Sequence, residues 1–233
     1  ETFDLTVNQV NDAPLVSGPL TTKSQDPYFN NVALLLDFDG DLTDKSPQNV
    51  AVTNVGGLTT SSAAARSGSA SLAMPDAPGI AYPEVTDTAT VDMGTASYTI
   101  EGWFFATELG LAKTYFSLIN STGYYTQITV DQGNAGGAAR MFVGSGGPLV
   151  SMPSAFVANQ WQHVALVRDA SAGVFRLFVD GTQRGTLTDS VSDHDAVRLE
   201  IGTWTIDTIR DFEGFIDEFR VTKGVARYTS NFS

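Results

Sequence analysis

Short runs in which apolar and polar residues alternate recur along most of the chain, and turn-forming residues separate them. A period of two residues is typical of β-strands that bury one face. No window keeps a helical period, although Ser61–Arg66 is rich in alanine. The clearest predicted strands are Tyr98–Ala106, Tyr115–Ile119, Tyr125–Val130, Arg140–Val143, Trp161–Arg168, Val174–Val179, Val197–Gly202 and Phe212–Val221. Many short strands with turns between them predict an all-β sandwich.

The connections between these runs favour antiparallel pairing, because they are too short for the helical crossovers that parallel strands need. Within Val179-Asp180-Gly181-Thr182, the Asp-Gly pair supplies the positive φ angles of a type I′ turn, which predicts a tight hairpin. The Gly-rich run Asp131–Gly147 is interpreted as a loop or hairpin, since it lacks the strand-to-helix context of a phosphate-binding loop.

Composition narrows the function classes. The 233 residues suffice for one large β domain or two small ones. The chain has no cysteine, which excludes disulfides, thiol catalysis and cysteine-bound metals. A formal net charge of −13 argues against nucleic acid as the main partner, and no apolar run approaches the length of a membrane span. Aspartate makes up most of the 26 acidic residues, a bias typical of turns and of oxygen-ligand cation sites.

Four motifs that occur in order resemble one family. They are Tyr98-Thr-Ile-Glu-Gly-Trp-Phe, Trp161-Gln-His-Val-Ala-Leu-Val-Arg-Asp, Phe175-Arg-Leu-Phe-Val-Asp-Gly and Phe215-Ile-Asp-Glu-Phe-Arg-Val-Thr-Lys-Gly-Val-Ala-Arg-Tyr. Together they resemble the concanavalin A-like lectin/glucanase superfamily, in its laminin-G-like branch of bacterial surface and phage proteins. The resemblance covers about Asn30 to Ser233. It implies a jelly-roll β-sandwich of two curved antiparallel sheets, with ligand sites on rim loops or on the concave face.

The first residues predict a different unit. Glu1–Pro14 begins with strand-like alternation and ends at Pro14, which cannot donate a ladder hydrogen bond. Its Val-Asn-Asp-Ala-Pro string resembles the linker between cadherin-like or immunoglobulin-like repeats of giant bacterial surface proteins. The predicted division is a terminal strand and linker over residues 1–14, a connecting segment over 15–30 and the lectin-like domain over 31–233. This organisation predicts a monomeric module of a longer secreted or cell-surface adhesin.

A catalytic role is not expected. His163 lies inside a predicted strand, where a packed histidine is the ordinary outcome, and none of the common hydrolase or nucleotide-binding motifs occurs. Glycosidases need two carboxyl groups that flank one bond. The nearest string, Glu213-Gly-Phe-Ile-Asp217-Glu218, has a different spacing from the family's Glu-x-Asp-x-x-Glu, and strand alternation predicts opposite faces for its last two residues.

Calcium is the expected cofactor. Asp37, Asp39, Asp41 and Asp44 place four carboxylates within eight residues, and the first three share one side if the preceding strand continues. A solvated acidic turn is the alternative. Since laminin-G-like sandwiches often hold calcium near their first and last strands, the resemblance adds Asp217 as a distant ligand. The pairs Asp193 and Asp195, or Asp207 and Asp211, are weaker candidates for a second loop site and are otherwise ordinary turn acids.

A sugar site needs an exposed aromatic platform beside polar groups. Trp103 and Trp161 lie in strand motifs and are assigned to the core. Trp204 instead follows a strand into a loop rich in Asp and Thr, and two tyrosines follow a probable turn. The expected carbohydrate-binding residues are Trp204, Asp207, Tyr124, Tyr125, Asp193, His194 and Asp195.

The sequence therefore predicts a calcium-dependent carbohydrate-binding module of a secreted adhesin, which attaches cells to other cells or to a biofilm matrix. Three alternatives stay open: a protein- or peptide-binding module, a structural spacer stiffened by calcium, and a glycosidase.

Overall fold

Two antiparallel sheets pack face to face as a jelly-roll β-sandwich. The computed structural model describes residues 26–75, 81–109, 113–121, 125–130, 138–143, 150–152, 155–189, 194–205 and 211–233. The predictions for Glu1–Pro14 lie outside these residues, and the three-part division of the chain stays a prediction.

The strands are numbered in chain order. The eight-stranded sheet runs through β13 (Thr182–Thr188), β12 (Val174–Val179), β11 (Trp161–Asp169), β6 (Tyr98–Ala106), β15 (Gly214–Lys223), β4 (Ser71–Met74) and β3 (Thr60–Ser61), and β1 (Val32–Leu36) also pairs with β15. The seven-stranded sheet runs through β10 (Val150–Met152), β9 (Ala139–Val143), β8 (Tyr125–Val130), β7 (Lys113–Asn120), β14 (Ala196–Ile201), β5 (Tyr82–Val85) and β2 (Thr53–Val55).

Helical structure in the described part is confined to the four-residue helix α1 (Thr88–Val91) and a short 3₁₀ turn at Phe29–Asn31. No described helix is long and apolar enough to cross a membrane. The all-β prediction is confirmed, and β6, β8 and β12 have the predicted bounds. The hairpin between β12 and β13 is also confirmed, because Asp180 and Gly181 take φ values of 49° and 69°.

Alternation along β6 explains how the sheet builds the core. Tyr98, Ile100 and Phe104 face the other sheet and are at most 2% exposed. The Phe104 ring meets the Tyr115 ring of the opposite sheet edge to face, with 4.7 Å between the centroids. Gly102 fills the inward position where an added Cβ would lie 3.2 Å from the rings of Phe104 and Phe219. The inward residues of β6 therefore lock the two sheets together.

The outer face of the eight-stranded sheet is partly covered by residues 224–233, the C-terminal segment. Tyr228 of this segment stacks on Phe232, with ring centroids 3.7 Å apart, and both lie against Phe178 of β12. Ala165 and Val167 of β11 complete this second apolar cluster. Strand β11 is therefore buried on both faces along most of its length, which explains the continuous apolar run from Val164 to Val167 at its centre.

An ion cluster, formed by Glu101, Arg220, Arg227 and Asp26, lies beside this apolar cluster. Arg220 donates to Glu101 Oε1 from Nε at 3.0 Å and to Asp26 from Nη1 at 2.8 Å. Arg227 Nε lies 3.2 Å from Glu101, and Arg227 Nη1 donates to Asp26 at 3.0 Å. Burial opposes ionisation of Glu101, but the two guanidiniums outweigh it and hold its pKa well below the usual range.

His163 is 4% exposed, and its Nε2 lies 3.1 Å from Glu101 Oε2. Its predicted structural role as a packed strand histidine is confirmed.

Candidate functional site

A row of three aromatic side chains crosses the outer face of the eight-stranded sheet, beside the C-terminal segment. Trp161 of β11 pairs with Phe105 of β6, and Phe105 pairs with Phe215 of β15. Directly opposed residues of neighbouring strands point to the same face. The Phe105 ring lies edge-on to both neighbours, at centroid distances of 5.7 Å and 6.0 Å. All three side chains are only partly buried, so the row is open to solvent.

A second, more polar row runs parallel to the first. In it, His163 pairs with Trp103, and Trp103 pairs with Asp217. Trp103 is also partly exposed, and the Arg66 guanidinium lies 3.9 Å from the centroid of its ring. We call Trp103, Phe105, Trp161 and Phe215 the aromatic face.

The aromatic face corrects the prediction that Trp103 and Trp161 belong to the core. Both lie on the outer face and are only partly buried. Since Ile100 and Phe104 occupy the inward positions of β6, the period of two residues sends Trp103 and Phe105 outward. The alternation along β6 separates these two sets of residues. Because both sets contain apolar residues, the sequence does not show which set faces the core.

A groove of about 330 Å³ extends the aromatic face beyond Phe215. Leu58, Thr59 and Pro75 contribute to its walls, together with Thr107 and Glu213. The Thr107 hydroxyl donates to the Glu213 backbone carbonyl at 3.2 Å and lies 3.3 Å from its carboxylate. The groove therefore combines apolar walls with a hydroxyl and a carboxylate.

The loop of residues 62–70, which joins β3 to β4, borders the aromatic face. The backbone N–H groups of Arg66 and Ser67 donate to Asp217 Oδ2 at 2.8 Å and 3.1 Å. The same Arg66 places its guanidinium over Trp103. Asp217 therefore fixes the backbone of Arg66, and the side chain of Arg66 covers part of the aromatic face.

Four carboxylates form an acidic cluster on the other side of this loop: Asp37, Asp39, Asp217 and Glu218. Asp39 Oδ1 accepts from the Ser69 N–H at 2.5 Å and from the Ala70 N–H at 3.0 Å, so it belongs to the same loop as Asp217. Of the predicted calcium ligands, Asp37, Asp39 and Asp217 thus come together, and Glu218 was not predicted.

The pKa values of three carboxyl groups of the acidic cluster are raised towards neutral pH. Burial raises the pKa of Asp217 to about 6, although three backbone N–H groups oppose the rise. Burial raises the pKa of Glu218 to about 7, and repulsion from Asp217, Asp37 and Asp39 adds to this rise. Burial also raises the pKa of Asp37. These carboxyl groups therefore destabilise one another when all of them are ionised.

The sequence prediction that Asp217 and Glu218 lie on opposite strand faces is wrong. The register of β15 against β6 shifts between Asp217 and Arg220, and Glu218 takes a φ of 49°. Such a bulge turns an extra residue out of the regular alternation. Both carboxylates consequently interact with Ser67 of the loop, Asp217 through the backbone and Glu218 through the hydroxyl.

The remaining predicted ligands, Asp41 and Asp44, have other hydrogen-bond and ion-pair partners, although repulsion from Asp41 adds to the rise in the pKa of Asp37. The predicted continuation of the first strand does not occur, because β1 ends at Leu36 and Phe38 takes a φ of 54°. Asp41 is exposed and pairs with Lys45 at 3.3 Å. Asp44 is buried, and its two oxygens accept from the N–H groups of Leu35, Ser46 and Val50 and from the Ser46 hydroxyl at 2.7–2.8 Å. Asp44 therefore holds the turn after β1 in place.

The acidic cluster is not a formed metal site. Among the described residues, no three Asp, Glu or His side chains converge closely enough to hold a metal ion. Backbone N–H groups already occupy oxygens of Asp39 and Asp217. Calcium binding stays a prediction.

Two of the predicted carbohydrate-binding residues, Trp204 and His194, are buried. Trp204 is 7% exposed, so it is not an open platform. His194 is also buried, with its ring edge-on to Tyr98 and Phe175. Asp195 is exposed. Tyr124, Asp193 and Asp207 lie outside the described residues, and so does the side chain of Tyr125. Of the second-site candidates, Asp211 accepts a hydrogen bond from the Thr203 hydroxyl.

The burial of Trp204 has a local cause in Glu200 of β14. Glu200 is fully buried, and it accepts from the backbone N–H and the hydroxyl of Thr205 at 2.9 Å and 2.7 Å. It therefore draws the loop after β14 back onto the sheet. Glu200 also pairs across strands with Glu84. A sealed carboxyl group cannot reach a substrate, so we assign Glu200 to anchoring the loop.

Gly68 allows the close approach of Asp39 to the loop. Its φ is +57°, and an added Cβ would lie 1.8 Å from Asp39 Oδ2. We expect Gly68→Ala to lower the free energy of unfolding by about 2–3 kcal/mol, through backbone strain plus displacement of the Asp39 carboxylate. Urea unfolding measures this change.

The matched control is Gly57→Ala, since Gly57 has a φ of +71° but open space around its added Cβ. It should cost only the backbone strain, about 1 kcal/mol. Equal losses in the two variants would contradict a close packing of Asp39 against Gly68.

The two packed antiparallel sheets define a jelly-roll β-sandwich. The chain belongs to the concanavalin A-like lectin/glucanases superfamily, whose family model matches residues 80–227. No curated protein is similar enough in sequence to count as a relative.

Solved structures extend the likeness over most of the chain. Domain 4 of AbnA, a GH43 extracellular arabinanase from Geobacillus stearothermophilus in complex with arabinotriose, is 19% identical with a TM-score of 0.64, over 83% of this chain and 93% of that domain. The binding domain of Paraclostridial Mosquitocidal Protein 1 is 12% identical with a TM-score of 0.61, over 86% of this chain and 51% of that one.

The binding domain of Botulinum Neurotoxin DC, in complex with SialylT, is 14% identical with a TM-score of 0.55, over 85% of this chain and 50% of that one. The protein thus spans about half of the length of each toxin chain. At these identities the likeness shows the fold alone.

Proposed function

We propose that the protein is a non-catalytic carbohydrate-binding module whose binding surface is the aromatic face. The observation that carries the proposal is the partly exposed set of Trp103, Phe105, Trp161 and Phe215 on an otherwise well-packed sandwich. Sugar rings present apolar faces and hydroxyl edges, so they bind where aromatic rings lie beside hydrogen-bonding groups. Arg66 and Thr107 supply such groups at two edges of the aromatic face.

The structural neighbours support the same ligand class. Domain 4 of AbnA was solved with arabinotriose, and the neurotoxin binding domain was solved with SialylT. Both are parts of larger proteins, which is consistent with a binding module rather than with an enzyme. The sealed position of Glu200 supports the non-catalytic part of the proposal.

The calcium part of the proposal rests on the charge of the acidic cluster rather than on a formed coordination shell. Asp39, Asp217 and Glu218 meet at one loop, and a divalent cation there would relieve their mutual repulsion. Since the same loop positions Arg66 over Trp103, calcium would act on the aromatic face through the loop backbone.

The setting that we propose is a secreted or cell-surface bacterial adhesin, in which the module attaches cells to glycans of another cell or of a biofilm matrix. The linker-like string that ends at Pro14 supports this setting, as does the net charge of −13, which keeps an extracellular chain soluble.

A glycan array tests the proposal, with the purified chain probed in millimolar calcium and again in EDTA. We expect binding to a defined sugar class that weakens in EDTA. Binding that is unchanged in EDTA would remove calcium from the proposal. If a folded sample binds no glycan in either condition, the result would contradict carbohydrate binding and favour a peptide-binding module or a structural spacer.

A further inference from the structure

We infer that the ligand is a neutral, extended polysaccharide chain that lies across strands β11, β6 and β15 and enters the groove beyond Phe215. This inference rests on the proposed function and specifies its ligand. It also places the binding surface on the outer face of the sheet, away from the turn before β8 and the segments on either side of β14, where the sequence predicts the sugar site.

The direction of the chain follows from the row Trp161, Phe105 and Phe215. Neighbouring strands lie about 4.8 Å apart, so the row spans about 10 Å perpendicular to the strands, a length closer to two linked sugars than to one. Because Phe105 stands edge-on to both neighbours, Trp161 and Phe215 flank it as separate contact surfaces. Such spacing suits successive sugars of a linear chain better than a single terminal sugar.

The groove extends this line in the same direction. Its volume of about 330 Å³ is at the lower end of the range for small-molecule pockets, about 300–1,000 Å³, and suits one further sugar. Phe215 belongs both to the row and to the wall of the groove, so the two surfaces are continuous. The Thr107 hydroxyl and the Glu213 carboxylate offer hydrogen-bond partners for sugar hydroxyls at this end.

The negative charges around the row favour a neutral polymer over an anionic one. The carboxylates of Glu213 and Asp217 lie at two edges of the row. Glu213 lies 3.7 Å from Lys113 Nζ, whereas Asp217 belongs to the acidic cluster, whose carboxylates repel one another. Arg66 is the one described cation in contact with the aromatic face. In a chain with a net charge of −13, a polyuronic or sulfated polymer would be repelled. Arg66 instead serves as a donor to neutral hydroxyls.

Affinity electrophoresis provides the experiment, with the full chain run in gels that contain neutral polymers (arabinan, xylan, mixed-linkage β-glucan and galactomannan) or anionic ones (alginate, polygalacturonate and hyaluronan). Oligosaccharides of increasing length from the most retarding polymer are then titrated by calorimetry. The variants are Phe105→Ala and Phe215→Ala. The matched control is Tyr82→Ala, since Tyr82 is a partly buried aromatic residue of the other sheet.

We expect retardation by at least one neutral polymer, affinity that rises with length up to three or more sugars, and about tenfold weaker binding of each phenylalanine variant. Tyr82→Ala should bind as the wild type does. Unfolding curves identify a variant that is misfolded, and Trp161→Ala then replaces it in the comparison.

Two results would overturn the inference and leave the proposed function standing: stronger retardation by the anionic polymers, and affinity that is complete at a single sugar. Binding that neither phenylalanine variant weakens would overturn both, because the proposed function also places the ligand on the aromatic face. Failure of every polymer and of the glycan array would overturn both. Sedimentation that shows dimers of the wild type but monomers of Phe215→Ala would also overturn the inference, because a second copy would then cover the row.

Discussion

We expect Glu101→Gln to lower the free energy of unfolding by about 3–5 kcal/mol at pH 7. Glutamine keeps the shape of the side chain but leaves the guanidiniums of Arg220 and Arg227 buried with Asp26 as their remaining counter-charge. Removal of one partner from a buried ion pair costs this much because the remaining charge stays desolvated. Urea unfolding followed by tryptophan fluorescence measures the loss.

The pH dependence of this loss is a second readout. Because the pKa of Glu101 is depressed in the folded state, its contribution to stability is complete above the ordinary glutamate pKa of 4.5 and is lost as the pH falls through the folded pKa. The gap between the wild type and Glu101→Gln should therefore shrink in acid. Asp195→Asn, the same change at an exposed site, is the control and should stay within about 0.5 kcal/mol of the wild type. A loss below about 1 kcal/mol for Glu101→Gln would contradict a buried ion cluster.

We expect Glu218→Gln to act in the opposite direction and to stabilise the protein at pH 8, by on the order of 2 kcal/mol. Since the pKa of Glu218 rises from 4.5 to about 7 on folding, the folded state holds a proton that the unfolded state has released between these values. The wild type therefore loses stability as the pH rises through this window, whereas the variant lacks this loss. The two should be equally stable near pH 4.5.

The effect of calcium on the unfolding temperature provides a control for this prediction. An ion bound among Asp39, Asp217 and Glu218 would offset the same repulsion, so calcium should raise the unfolding temperature of the wild type at pH 8 more than that of Glu218→Gln. Equal shifts in the two proteins would contradict calcium binding at the acidic cluster. Destabilisation by Glu218→Gln at pH 8 would contradict the raised pKa itself.

Much of the fold could be predicted from the sequence because its signals are local. Alternation located β6 and β12, and the Asp180-Gly181 pair located the hairpin, since a type I′ turn depends on residues adjacent in sequence. The inward face of β6 was harder to predict, because Ile100 and Phe104 on one side and Trp103 and Phe105 on the other are all apolar. Burial against the second sheet decides between these faces, and that contact is not encoded in the strand itself.

The candidate site was predicted only in part, for reasons of tertiary structure. The bulge at Glu218 has no signature in sequence and brings a second carboxylate to the acidic cluster. Trp204 lies in a loop, as predicted, but Glu200 draws that loop onto the sheet by binding Thr205. Asp37 and Asp39 come close to Asp217 because β1 pairs with β15, a contact between distant parts of the chain.

The central place of β15 has a consequence for how the protein folds. This strand pairs with β6 on one side and with β1 and β4 on the other, and all three precede it by a long stretch of chain. During synthesis, the eight-stranded sheet therefore stays open along its middle until the last strand has left the ribosome. Pairings of such high contact order form slowly, and until then β1 and β6 each present an unpaired edge. A chain that stops before β15 should collect as an aggregation-prone intermediate rather than as a smaller stable sandwich.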